Sequence, residues 1–368
     1  MTDLLYSDVE EELRASVRDL FGDKAGAASV LARTESAEPY DLKLWRTVAA
    51  ELGLAGLHVP EELGGQGAST RELAVVLEEL GRAVVPVPFL GSAVLATSAL
   101  LACDTSRGEV GGLVRRLAAG EAIGALAVPL TTWPGSPFPA GVSISGGVLS
   151  GRIGLVADGS VAEVLVVPAT GPDGPELYAV EEFSATEVTS LDLTRRLADV
   201  VLDNASGQLV ASGGAAVRAL ERALTVGAGV LASEQLGVAQ WCLDETVAYV
   251  KQRYQFGRPV GSFQALKHRL ADLYLELVTA RATARYAADA LAVGGDDVPV
   301  AVALAQSTCA DTAVHAAEEA IQLHGGIGMT WEHPAHLYLK RAKSDELALG
   351  TPGRHRSTLA GLVNLPPA

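Results

Sequence analysis

The sequence predicts a mainly α protein with a central β domain. Three observations carry that reading. Apolar residues recur at helical spacing to about residue 120. Between about 121 and 205 the pattern shortens to alternating runs, punctuated by Gly, Pro and Asp. From about 206 to 368 helical spacing returns, over much longer stretches. The expected division is therefore 1–120, 121–205 and 206–368, and a chain of 368 residues has room for two to three domains.

The elements follow in chain order. Ser7 with Glu10 three residues on is a capping-box signal, and Leu13, Val17 and Leu20 then share one helical face. Trp45, Val48 and Leu52 mark a second amphipathic helix, ended by Gly53. The run 60–70 is a Gly-rich loop, after which Ser69 or Thr70 can cap a helix through Leu73 and Leu80. In the middle region, 125–130, 141–157, 162–169 and 176–183 are strand-like runs of a small antiparallel domain, and 198–205 reads as its last strand. In the third region, 216–249, 263–291 and 298–323 each carry apolar residues at three-and-four spacing. Their lengths suit the antiparallel helices of a bundle.

Composition narrows the function. Lys plus Arg total 28 against 44 Asp plus Glu, a net charge of −16. A chain of that sign is repelled by duplex nucleic acid and by anionic membranes. The uncharged stretch 83–103 is broken by Pro86, Pro88 and Gly91, and the one after Glu121 by Pro129, Pro134, Pro137 and Pro139, so neither reads as a membrane span. The acidic, helical N-terminus does not read as a signal peptide. A soluble, cytoplasmic protein is expected. Cys103, Cys242 and Cys309 are far apart, without a CxxC pair, and read as small buried apolar residues rather than disulfide or zinc ligands.

Two motifs carry chemistry. In the run 253–259, Arg253 ends one long helix, a Gly/Pro turn follows, and Gln264 starts the next. A guanidinium fork beside a helix N-terminus is an anion-binding corner. The alternative is an Arg that caps its own helix's C-terminus. In the run 320–328, a long helix meets Gly325, Gly326 and Gly328, which allows close backbone approach to a ligand or simply ends the helix. His315, His324, His333 and His336 cluster nearby. No carboxylate or Cys stands at a trusted metal-ligand spacing, so they read as structural and no metal is expected. Trp331 and Tyr338 read as core or interface residues.

Together the two motifs resemble the acyl-CoA dehydrogenase family. The runs 51–70, 151–169, 253–273 and 320–343 match its N-terminal, middle and C-terminal parts in order. The resemblance implies an N-terminal helical domain, a β-barrel-like middle domain and a C-terminal four-helix bundle. It implies FAD as cofactor, an acyl-CoA substrate and an external electron acceptor such as electron-transfer flavoprotein. In the family a glutamate removes the α-proton while hydride leaves the β-carbon for the flavin, and donors to the thioester carbonyl stabilise the enolate. The pyrophosphate and adenosine end of FAD falls, by resemblance, to Arg253, Gln255, Phe256 and Gln264, and to Gln322, Gly325 and Gly326. These elements reach the FAD of a neighbouring subunit, so oligomerisation is implied.

Three departures stand out. The family's Thr-Glu-Pro-x-Ala-Gly-Ser-Asp stretch, which meets the flavin ring, is replaced by Ala127-Val128-Pro129-Leu130-Thr131-Thr132. The usual glutamate position holds Leu349, and the alternative position on the first bundle helix falls on Gly227. Neither can accept a proton. Glu346 and Asp345 are the nearest substitutes, but one helical turn is about 5.4 Å, too large a displacement without a different backbone path. Their other reading is solvated carboxylates paired with Lys343 or Arg341, and Glu221 and Glu234 read as surface or helix-pairing residues. The pattern is similar to the degenerate partner subunits of actinobacterial hetero-oligomeric acyl-CoA dehydrogenases, known from sterol side-chain breakdown. The expected function is a subunit of such an enzyme, desaturating an acyl-CoA to the 2-enoyl-CoA. A self-sufficient homo-oligomer with a displaced base and a non-catalytic acyl-CoA- or flavin-binding protein are the alternatives.

Overall fold

The computed structural model describes residues 4–365. Among the described residues the first third is helical: α1 (Asp8–Lys24), α2 (Ala27–Thr34), α3 (Leu42–Arg46), α4 (Thr70–Ala83), α5 (Thr97–Leu101) and α6 (Gly108–Ala118). Ser7 and Glu10 form the expected capping box on α1, and Ser69 with Glu72 forms a second on α4. The Trp45 helix is shorter than its spacing suggests. It gives way to a π-turn at Thr47–Glu51, and Gly53 then takes the left-handed conformation at φ 67°. Trp45 is buried edge-on against Phe89, ring centres 6.3 Å apart, which anchors this layer.

The middle of the chain forms β1 (Gly124–Leu126), β2 (Val142–Ser145), β3 (Val148–Ala157), β4 (Val164–Gly171), β5 (Gly174–Val180), β6 (Ser184–Val188), β7 (Leu197–Ala205) and β8 (Gln208–Ser212). The order is β6-β7-β3-β2-β4-β5-β8, with β1 beside β4. Two results correct the sequence reading. The sheet is mixed rather than wholly antiparallel, because β1 and β2 both lie parallel to β4. The run 198–205 is not the last strand, since β8 follows it and pairs with β5.

Three long helices then build the bundle: α7 (Gly213–Gln252), α8 (Gln264–Val293) and α9 (Val298–His324). A hairpin of β9 (Tyr254–Gln255) and β10 (Arg258–Pro259) joins the first two. Two shorter helices, α10 (Ala335–Leu347) and α11 (Pro352–Leu362), complete it. At 1.5 Å per residue, the 40 residues of α7 span about 60 Å. Helix α7 packs directly on α4: a Cβ at Gly237 would lie 1.9 Å from the Glu78 carbonyl oxygen, so only glycine permits this approach. One core runs through the helical layers and a second lies within the sheet. Among the described residues no helix is long and apolar enough to cross a membrane. Cys242 and Cys309 are buried, Cys103 is half-buried, and all three are free thiols.

Candidate functional site

The first candidate is the corner at the far end of α7. The Phe256 and Gly257 backbones have φ of 52° and 76°, the left-handed pair that a tight hairpin turn requires. The hairpin leaves Arg253 and Gln255 exposed. Tyr249 ties this corner to the end of α9, donating to the His324 carbonyl at 3.2 Å and stacking on the His324 ring at 4.3 Å. Arg253, Gln255, Gln322, Gly325 and Gly326 thus line one open cavity of about 600 Å3. Phe256 and Gln264 are not brought into it. Phe256 is 90 % exposed, edge-on to Phe263, and Gln264 opens α8 outside the lining. The alternative of an Arg capping its own helix is not what forms. The cap contact is backbone, from Arg253 N–H to the Tyr249 carbonyl, and the Arg253 guanidinium has no partner among the described residues. A free guanidinium, two free side-chain amides and open glycines suit a phosphate-bearing ligand.

The second candidate is the turn after α10. Leu349 is fully buried, with φ 53°, a conformation a bulky residue rarely adopts. It is clamped from both sides. Its N–H donates to the Leu130 carbonyl at 2.8 Å, and His355 Nε2 donates to its carbonyl at 3.0 Å. A Cβ on Gly227 would lie 2.4 Å from Leu95 Cδ2 and 3.0 Å from Leu349 Cδ1. The two positions that resemblance singled out for a base are therefore neighbours in space, and both are apolar. A Cβ on Gly350 would lie 2.8 Å from Trp133 Cβ, so the residue directly after the 127–132 stretch, which resemblance matched to the ring-binding motif, rests against this turn. The residues present do not fit a flavin ring between these segments.

The substitute carboxylates take different places. Glu346 faces outward, its Oε2 3.6 Å from Lys343, which also reaches Glu318 at 3.2 Å. Asp345 is not solvated. It is wholly buried and bonds Arg195, from the loop between β6 and β7. Glu234 is equally buried and takes both its oxygens to Arg195 Nη2, at 2.6 and 2.7 Å. Arg341 completes the group, bonding Glu234 and reaching Asp192 at 2.6 Å and Thr194 at 2.6 Å. Burial pushes the Asp345 carboxyl up to about 8, with Arg195 pulling the other way and Glu234 adding to the rise. Asp192 is held below its usual range: burial opposes ionisation, but Arg341 and the Thr194 bonds outweigh it. This cluster joins sheet to bundle and has no opening wide enough for a substrate; the space inside it is about 10 Å3. Glu221 accepts from the Gly135 N–H at 2.8 Å and so braces the loop after Trp133.

The histidines also differ from the sequence reading in one respect. Glu245 comes from α7 to bring its carboxylate within 4.8 Å of ligand nitrogens on His324 and His333, a neighbour that linear spacing concealed. His324 Nδ1 donates to the Ala320 carbonyl at 2.6 Å, and His333 Nδ1 accepts from Ala335 N–H at 3.2 Å. His315 bonds Glu276 at 2.7 Å. Tyr338 is core, stacked on Trp241 at 3.5 Å, while Trp331 is exposed beneath Lys340.

Comparison with known proteins places this geometry. Residues 7–105 match the acyl-CoA dehydrogenase N-terminal domain and residues 216–362 its C-terminal domain. The chain is 38% identical over 340 residues to the acyl-CoA dehydrogenase IpdE2 of Mycobacterium tuberculosis, covering 92% of each chain. Among solved structures it resembles the Tcur3481-Tcur3483 steroid ACAD at 31% identity, with a TM-score of 0.84 and 97% and 98% of the chains covered. It resembles the ChsE4-ChsE5 complex from Mycobacterium tuberculosis at 27% identity, with a TM-score of 0.87 and both chains fully covered. The chain belongs to the acyl-CoA dehydrogenase family, a family of FAD-dependent oxidoreductases.

Proposed function

We propose that this chain is the non-catalytic subunit of a hetero-oligomeric acyl-CoA dehydrogenase. It would hold the nucleotide tail of an FAD whose ring and whose proton-abstracting carboxylate lie in a homologous partner subunit. The observation that carries this reading is the contrast between two sites on one helix. At Gly227 and Leu349 the base positions meet and are filled by hydrocarbon, whereas at Arg253 the tail corner is open and unpaired. Gly227 and Arg253 are 26 residues apart on α7, about 40 Å along its axis, far longer than one dinucleotide. The corner therefore serves a cofactor whose ring lies against another subunit.

Bound there, FAD supplies the hydride acceptor for α,β-dehydrogenation of an acyl-CoA thioester. This chain's residues bind and orient. Arg253 offers a fork to phosphate oxygens, Gln255 and Gln322 offer amides, and Gly325 and Gly326 allow close backbone approach. The proton transfer belongs to the partner's carboxylate. Relatives support the arrangement, since a steroid ACAD and the ChsE4-ChsE5 pair are two-component assemblies by name. An external electron acceptor follows from the family chemistry.

The displaced-base reading is disfavoured: Asp345 is locked behind Arg195 and Glu346 faces Lys343. The test is flavin content. Expressed alone, the chain should purify without stoichiometric FAD and without acyl-CoA turnover. Expressed with a homologous dehydrogenase that carries the glutamate, it should copurify as a yellow complex. A lone chain that is fully flavinated and bleached by substrate ends the proposal.

A further inference from the structure

A cavity of about 380 Å3 lies where the first helical layer meets the bundle, far from the Arg253 corner and with Val226, the chain neighbour of Gly227, in its wall. Its polar side is formed by His58, Ser98 on α5 and Arg222 on α7. Its apolar side is formed by Leu101, Val226 and Leu291. The size falls at the small end of the range for small-molecule sites, and the lining has the usual composition: hydrocarbon walls with a few convergent polar groups.

The polar groups lack protein partners, although Arg222 is itself exposed to solvent. Arg222 has no hydrogen bond or ion pair among the described residues. Burial alone lowers its pKa, so no carboxylate offsets its charge. His58 Nδ1 is buried with no hydrogen-bond partner, and Nε2 has only a long contact of 3.5 Å to Ser98 Oγ. Burial, with Arg222 adding, pushes the His58 ring down to about 4, so the ring is neutral near pH 7. The nearby Ser69 hydroxyl is already engaged, donating to Glu72 at 2.6 Å. Water satisfies the exposed Arg222 guanidinium, so the buried, unpartnered His58 nitrogen beside it is the exception that needs a reason.

We propose that this cavity is a ligand site for a compact organic carboxylate, with Arg222 taking the carboxylate and His58 and Ser98 orienting it. A guanidinium matches one carboxylate through two parallel bonds. The Leu101, Val226 and Leu291 wall then covers a short hydrocarbon stem, which inorganic phosphate lacks. The site is more than 40 Å along α7 from the Arg253 corner and needs neither flavin nor partner subunit. Its failure leaves the subunit proposal untouched, and the reverse holds as well.

Calorimetric titration of the full chain with glutarate at low salt tests it. Saturable binding is expected, weakened about tenfold or more by Arg222→Gln and partly kept by Arg222→Lys. Glutaramide, the neutral analogue, should give no saturation, and inorganic phosphate should bind more weakly than glutarate. Arg222 has no partner to lose, so Arg222→Gln should melt with the parent chain. Leu101→Trp, which fills the cavity from its apolar side, should abolish binding independently. No saturable glutarate binding, equal binding by Arg222→Gln, or phosphate binding as tight as glutarate each overturns the proposal.

Discussion

At Arg253 the chain leaves a guanidinium and two amides exposed and unpartnered, beside glycines open to approach. At Leu349 both backbone polar groups are bonded, the side chain is buried, and Trp133 and Gly227 close the space around it. One helix carries both regions. The difference teaches that fold and local chemistry separate within a single chain: α7 has the same helical order beside the apolar contact of Gly227 and Leu349 as it has on the way to the polar corner at its end. An exposed polar corner costs little to maintain without its ligand, because water satisfies it. A carboxylate buried at a turn without substrate or flavin is costly, and hydrocarbon is the stable replacement.

Rebuilding the base is the most severe way to break that contrast. Leu349→Glu places an unpaired carboxylate in the apolar space between Leu95 and Gly227. It should cost about 3–5 kcal/mol in urea unfolding and restore no flavin bleaching to the lone chain. A stable Leu349→Glu chain that turns over an acyl-CoA would show that the ring site is merely missing one residue. Gly227→Glu should behave at least as badly, because its Cβ alone meets Leu95 at 2.4 Å.

The buried cluster of Arg195, Glu234, Arg341, Asp192 and Asp345 comes next. Arg341→Ala removes a partner from Glu234 and Asp192 together and should cost about 3–5 kcal/mol. Asp345 gives the pH dependence. Its folded value of about 8 lies above its ordinary 3.8, so the folded state favours the protonated form. That contribution is fully present below about pH 4 and is lost as pH rises toward 8. Asp345→Asn should flatten the stability curve between those limits and match or exceed the parent chain at pH 8. An unchanged slope in unfolding measured from pH 5 to 8 would place the raised carboxyl elsewhere, with Asp158, held up to about 6 by burial, as the next group to examine.

What the sequence revealed and concealed follows the range of the interactions. Both capping boxes and all three long helices were legible, because their signals lie within a few residues. The two base positions were legible only through the family resemblance, and their contact only through the fold. Asp345, read as a solvated carboxylate, is buried, and Glu234 takes the helix-pairing rather than the surface alternative, bonding Arg341 of α10 as well as Arg195. Their partner Arg195 comes from a loop 39 residues before Glu234 and 150 before Asp345, and helical periodicity shows a face without showing what meets it. Strand β8 was missed because five residues directly before a helix leave too short an alternation to detect. Glu245 was missed for the same reason as Arg195: nothing local announces a contact made across the bundle.

The corner itself predicts a smaller and more selective effect. Arg253→Ala removes a side chain without a partner in the chain, so unfolding should shift by no more than about 0.5 kcal/mol. Flavin retention by the assembled complex should nevertheless fall about tenfold, read as FAD released on dilution. Equal loss of stability and flavin would mean that Arg253 only holds the hairpin, and the tail assignment would then fail.

The smallest effect sharpens the comparison most cheaply. Glu346 is partly exposed and faces Lys343 across 3.6 Å, an ion pair of the kind that contributes about 0–1 kcal/mol. If proton abstraction belongs to the partner subunit, Glu346→Gln should leave turnover by the complex unchanged and barely move its melting point. If Glu346 were a displaced base, the same substitution would abolish substrate bleaching while FAD stayed bound. The backbone makes the second outcome hard to reach. Glu346 lies within the last turn of α10, before the Leu349 turn, and its carboxylate faces the α9 side, where Lys343 also meets Glu318. To reach a thioester beside Leu349 it would have to unwind that helix end, breaking the Ala348 N–H bond to Ser344 on the way. A null result from so conservative a change therefore tests the division of labour between subunits rather than the integrity of this one.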